Sequence, residues 1–179
     1  MLTVKKLALS TLITSSLLFY PALHSLAETP QHVVKQPAGG YSVQVGDVLV
    51  TAYTDGSVAQ DLHKLLRRTT PQQIDALLAK NFQTNPPEVS INAFLIALPG
   101  HKILVDTGSG QLFGPGNGGR LIESLATQGF NLQDITEILL THAHSDHAGG
   151  LIKDGKAVFT NARVFVGKPD IDFFFNEEN

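Results

Sequence analysis

The ten residues from Thr141 to Gly150, THAHSDHAGG, constrain this chain more than any other stretch. Three of its seven histidines, His142, His144 and His147, fall within six residues, with Asp146 between the last two. Core packing does not call for four potential metal ligands in so short a span. Imidazole and carboxylate are donors that divalent ions accept. On a helix His142 and His144 would point about 200° apart, from about 100° per residue. In an extended segment residues two apart share a side, so the spacing predicts extended backbone with both imidazoles aimed at one ion. Asp146 and His147 then leave in another direction and can serve a second ion. The stretch reads as half of a two-metal site.

At 179 residues and 42% hydrophobic content the chain has room for one domain with an ordinary core. The formal charge is −3, and beyond the first residues the densest basic patch is Lys64, Arg67 and Arg68. A nucleic-acid partner would require a concentrated basic face, so none is expected. There are no cysteines, which excludes disulfides, thiolate zinc sites and a cysteine nucleophile.

Residues 1–27 read as a secretory signal. Lys5 and Lys6 form a positive start, Leu7 to Tyr20 is a mostly apolar run, and Ser25-Leu26-Ala27 is a small-residue cleavage site. The run is shorter than the ~20 residues of a spanning helix. Cleavage after Ala27 predicts a periplasmic or secreted protein with no membrane contact thereafter. Losing Lys5 and Lys6 and no acid takes the charge from −3 to −5. Residues 28–40, with two prolines and a Gly-Gly pair, read as a flexible lead-in.

From there the pattern alternates between strands and helices. Tyr41 to Val45 and Asp47 to Tyr53 are expected as strands around Gly46, apolar on both faces and hence covered. Asp55-Gly56 is expected as the following turn. Thr70-Pro71-Gln72-Gln73 carries an N-cap, a first-turn proline and a capping-box glutamine, and Ile74, Leu77 and Leu78 give a helical stripe. Pro86-Pro87 ends that pattern. Val89 to Leu98 and Lys102 to Val105 follow as hairpin strands around Pro99-Gly100-His101, with His101 an exposed turn residue. The glycine-rich stretch from Gly108 to Gly119 fails the dinucleotide test, because Phe113 stands where the third glycine belongs. It lacks a P-loop ending too, so it reads as a loop on the rim of a site. Arg120 to Gln128 is expected as a helix ended by Gly129, with Leu121 and Leu125 inward. A buried strand at Ile138-Leu139-Leu140 then delivers the histidine stretch at its carboxyl end, where α/β folds place ligands. Ala157 to Phe159 and Ala162 to Val166 are expected as strands, and a helix starts from Lys168. Phe173-Phe174-Phe175 needs a partner surface.

His142-x-His144-x-Asp146-His147 after a hydrophobic strand, with Leu104-Val105-Asp106-Thr107-Gly108 upstream, resembles the metallo-β-lactamase-fold hydrolases. Thr54-Asp55-Gly56, the Leu65-Leu66 to Leu77-Leu78 region, Ser90-x-Asn92-Ala93 and Phe113-Gly114-Pro115 look most like the methyl-parathion-hydrolase and quorum-quenching-lactonase group. The resemblance implies an α/β (α+β) fold: an αβ/βα sandwich of two similar halves, mixed β-sheet with flanking helices, and two divalent metal ions, usually zinc. It assigns His142 and His144 to the first metal, Asp146 and His147 to the second, and Asp106 to the support of the metal loop. Asp106 and Asp146 are thus the candidate catalytic aspartates. It further implies hydrolysis of a small-molecule ester, lactone or organophosphate by a metal-activated hydroxide, with no serine or cysteine nucleophile. A β-lactamase is the alternative enzyme, since it shares the same four ligands.

The family also uses one more histidine for each metal and a bridging aspartate, all downstream. No histidine follows His147 here, and Asp154, Asp170 and Asp172 stand in no family motif. A catalytic zinc normally takes three protein ligands, and this chain offers two for each. Residues 41–179 are therefore expected to be the N-terminal part of a longer hydrolase domain, inactive alone. The sheet face meant for the other half would be left exposed, which would favour a homo-oligomer. A secreted, non-catalytic metal-binding or interaction protein is the reading outside enzymes.

Overall fold

The computed structural model describes residues 39–176, and the expected signal segment 1–27 and most of the expected lead-in lie outside those residues. Strands β1 (Gly40–Val45), β2 (Val48–Ala59), β3 (Glu88–Leu98) and β4 (His101–Val105) pair antiparallel in order. Between β2 and β3 lie α1 (Leu62–Leu65) and α2 (Pro71–Lys80). After β4 a glycine-rich loop leads to α3 (Leu121–Thr127), which returns the chain to β5 (Glu137–Leu139), parallel to β4. The remaining elements are α4 (Ser145–Ala148), the two-residue strands β6 (Ile152–Lys153) and β7 (Lys156–Ala157), β8 (Arg163–Phe165) and α5 (Lys168–Phe174). β8 joins the sheet parallel to β5, giving the order β1-β2-β3-β4-β5-β8, while β6 and β7 pair only with each other. Among the described residues no helix is long and apolar enough to cross a membrane.

One face of the sheet carries the core. Tyr53, Ala93, Leu95, Leu104 and Ile138 pack there against Leu121 and Leu125 of α3, with Ile135, Val158 and Phe159 closing the cluster. The inward pair on α3 is the one its spacing predicts, and Gly129 ends the helix with φ 79°. Burial pushes the Tyr53 phenol above its ordinary pKa. The capping box at α2 also forms, with Thr70 accepting from Gln73 N–H and Gln73 accepting from Thr70 N–H.

Four expectations need correction. Asp55 and Gly56 form no turn: β2 runs through them, with the register slipping between Thr54 and Gly56 as a β-bulge. The first hairpin is not covered on both faces. Ser42 and Thr51 are buried on the core side, whereas Tyr41, Val43 and Val45 on the other side are 63%, 45% and 60% exposed. Leu77 points to solvent, leaving Ile74 and Leu78 as the packed part of the α2 stripe. Val158 and Phe159 do enter the core, yet they follow β7 as irregular backbone.

The uncovered face has a physical signature in the register. Tyr41, Ala52, Phe94, Val105, Leu139 and Phe165 are successive partners across all six strands. Every one is apolar, and Tyr41, Phe94, Leu139 and Phe165 are exposed.

Candidate metal centre

Asp106 and the histidine stretch meet because β4 and β5 are parallel neighbours. Val105 stands beside Leu139, so the residues that follow each strand emerge at the same sheet edge. Asp106 N–H still donates to Leu139 carbonyl at 3.0 Å, after which φ of 59° turns the chain out of the strand. Its carboxylate, almost wholly buried, accepts from Thr141 N–H at 2.8 Å and from the Thr141 hydroxyl at 2.9 Å. It accepts from His147 Nδ1 at 2.8 Å as well. His147 is gripped from its backbone too, its carbonyl accepting from Thr107 N–H at 2.7 Å and the Thr107 hydroxyl at 2.9 Å.

These partners fix which ring nitrogens are protonated. A carboxylate only accepts, so His147 carries its hydrogen on Nδ1 and keeps a lone pair on Nε2. The Thr141 hydroxyl has one hydrogen, which goes to Asp106. It therefore accepts from His142 Nδ1 at 3.1 Å, and His142 likewise keeps Nε2 free. Orientation of a ligating histidine through its other nitrogen is how proteins prepare metal ligands.

His142 and His144 lie in non-helical backbone, as their spacing predicts, with His144 capping the start of α4. Their ring centroids are 4.7 Å apart, and those of His142 and His147 are 3.9 Å apart. Asp146 Oδ2 faces His147 Nε2 at 3.3 Å. Neutral His147, with its hydrogen on Nδ1, would point the Nε2 lone pair at that carboxylate, an arrangement a shared cation would satisfy. The donor set thus fits a divalent ion. It is not a finished site: among the described residues no three His, Asp or Glu side chains close around one point.

Close backbone packing holds the stretch in place. A Cβ on Gly150 would meet Thr107 carbonyl oxygen at 2.0 Å, so only glycine lets these strands of backbone touch. On the far side of the glycine-rich loop, the Asp55 bulge is the anchor. Its buried carboxylate accepts from Ser109 N–H at 2.9 Å, the Ser109 hydroxyl at 3.2 Å and Leu121 N–H at 3.1 Å. Thr141 and Asp55 are among the residues that the sequence left without a role. For Thr141 the signal was adjacency to His142; Asp55 is tied to partners 54 and 66 residues away, which local pattern does not reveal.

A groove of about 710 Å³ opens beside His144, lined among others by Leu112, Ser145, Asp154 and Phe174. A cavity of about 410 Å³ under the glycine-rich loop includes none of the four candidate ligands, so the groove is the one that adjoins the chemistry. Gln111 and Leu112 of the loop line the groove beside His144. Of the apolar residues on the glycine-rich loop, Leu112 lines the groove and Phe113 does not. Phe174 stands edge-on to the His144 ring at 5.9 Å, which gives one member of the Phe173–Phe175 run its partner. His101 is exposed and bonds Glu137, away from the histidine stretch.

Residues 86–153 match the family model of the metallo-beta-lactamase superfamily. Metallo-beta-lactamase domain-containing protein 1 of Mus musculus is 53% identical over 49 residues, which is 27% of this chain and 17% of that protein. The Xenopus laevis protein of the same name is 38% identical over 64 residues, 36% of this chain and 23% of that one. Among solved structures, AidC, a dizinc quorum-quenching lactonase in complex with a product, superposes with a TM-score of 0.72 at 34% identity, covering 77% of this chain and 48% of that one. The hydrolase AbOPH of the beta lactamase superfamily gives 0.72 at 37% identity, covering 79% and 49%. The chain therefore spans about half the length of these two solved structures and less than a quarter of the two curated relatives.

Proposed function

We propose that this chain, whose residues 86–153 match the metallo-beta-lactamase superfamily model, is the amino-terminal half of a divalent-metal hydrolase acting on a small ester, lactone or organophosphate. His142 and His144 would hold one ion, and Asp146 and His147 a second, with Zn²⁺ the ion that this donor set suits best. When bound, such a pair supplies Lewis acidity and lowers the pKa of water to about 7. The observation that carries the reading is the Asp106 lock: it fixes Thr141 and His147 together and leaves His147 Nε2 facing Asp146.

Each residue then has a task. Asp106 is a positioning group, buried behind the ligands and out of reach of substrate. Asp146, 40% exposed in its side chain, reaches solvent and can take a hydrogen bond from an attacking water. Leu112 and Phe174 offer the groove an apolar wall for the organic part of the substrate. Likeness to a quorum-quenching lactonase over 77% of the chain favours a lactone among the three substrate classes. The half-domain reading is supported by the two-donor pairs and by the apolar row across the open sheet face. Export to the periplasm or exterior is supported by Lys5, Lys6, the apolar run and the Ala27 cleavage site, and cell fractionation would test it.

The test uses the protein isolated from its own cells. We expect a mass well above 19.2 kDa, zinc-dependent turnover of lactones, and loss of that turnover on chelation. Turnover of β-lactams alone would replace the substrate class. A species no heavier than the 179-residue chain, with no turnover on any panel, would instead favour the secreted metal-binding protein.

A further inference from the structure

Helix α5 reaches back 27 residues in sequence to the turn between the two leading histidines. Asp170, the third residue of that helix, accepts from the N–H of Ala143 at 2.9 Å. Ala143 is the residue that separates His142 from His144, so its peptide plane sets the angle between their side chains. Both partners are half-buried, where a hydrogen bond to a carboxylate is stronger and more directional than at the open surface. A second contact runs the same way: Phe174, one turn further along α5, packs edge-on to the His144 ring. A helix-start acid that served α5 alone would bond its own first turn. Here the other acid of the helix, Asp172, does stay local, paired with Lys168 at 2.5 Å.

We propose that Asp170 is a positioning residue for the metal centre, holding the Ala143 peptide so that His142 and His144 present to one ion. This rests on the metal-site reading above. Asp106 and Thr141 brace His142 and His147 from the sheet side, and Asp170 braces the His142–His144 turn from the α5 side. His144, whose ring has no hydrogen-bond partner among the described residues, depends on that brace most.

Zinc affinity of the 179-residue chain and its variants, measured by competition with a chromophoric chelator, tests this. Loss of a group that orients ligands costs about 10–100-fold in affinity. Asp170→Ala is expected to weaken zinc binding at least tenfold and to speed hydrogen exchange at the Ala143 amide. Asp170→Asn keeps an acceptor oxygen and should restore most of the affinity. Asp172→Ala, on the same helix without contact to the turn, should bind as the parent does. If Asp170→Ala does not fold, Asp170→Ser serves in its place, since its oxygen is too short to reach Ala143. Equal zinc affinity in the parent and either loss variant would overturn the proposal while leaving the metal-site reading intact. A parent chain that takes up no zinc would overturn both.

Discussion

Asp106 concentrates at one carboxylate the work of joining two strands to the histidine-rich loop. It accepts from a backbone N–H, a hydroxyl and an imidazole, all within 2.9 Å. Asp106→Ala leaves the half-buried Thr141 N–H without its acceptor, a cost of about 1 kcal/mol, and frees the His147 ring. Urea denaturation is expected to register that loss of stability, and zinc affinity should fall about 10–100-fold. Asp106→Asn separates the two roles: its oxygen can still serve Thr141, but its amide presents hydrogens to His147 Nδ1 and inverts the ring's hydrogen placement. Stability should then be largely kept while zinc affinity falls, and equal loss of both in the two variants would contradict the assignment. The four candidate ligands and the bond-rich Asp106 could be picked out from the sequence because their types and spacing are local to two short stretches. Thr141 was half legible, by adjacency. Asp55 and Asp170 were not, since their partners come from elements brought close only by the folded sheet.

At the scale of elements, signals carried within one turn survived folding and signals that depended on neighbours did not. The α2 start is the clearest local case. Thr70→Ala removes one arm of the capping box and should cost about 1 kcal/mol, seen as a lower urea midpoint with unchanged slope. Asp55-Gly56 is the opposite case, since an isolated Asp-Gly favours a turn. Three donors from Ser109 and Leu121 capture the Asp55 side chain and keep the segment in β2 as a bulge. A Cβ on Gly56 would meet Asn117 carbonyl oxygen at 2.0 Å, so the bulge is also where the glycine-rich loop rests. Asp55→Ala is expected to lose about 3 kcal/mol, from buried N–H groups left without acceptors. An effect within about 0.5 kcal/mol, the range of surface changes, would show that the loop is held by other means.

For the molecule as a whole, strand alternation foretold apolar faces, but it could not say which face would find cover. α3 and the segments around Ile135 and Val158 cover one side, and the Tyr41-to-Phe165 row on the other stays exposed. Contiguous apolar surface of this kind drives association. Sedimentation of the purified chain is expected to show concentration-dependent self-association, and a strictly monomeric chain across that range would contradict an open apolar face. In the proposed reading His142, His144, Asp146 and His147 make up half of a two-metal site, two donors for each ion. Equilibrium dialysis of the 179-residue chain against zinc tests it most directly. Weak, readily reversed uptake is expected, and it should disappear when His142 and His147 are both replaced by alanine. Two ions per chain, held tightly enough to survive exhaustive dialysis without added zinc, would contradict it.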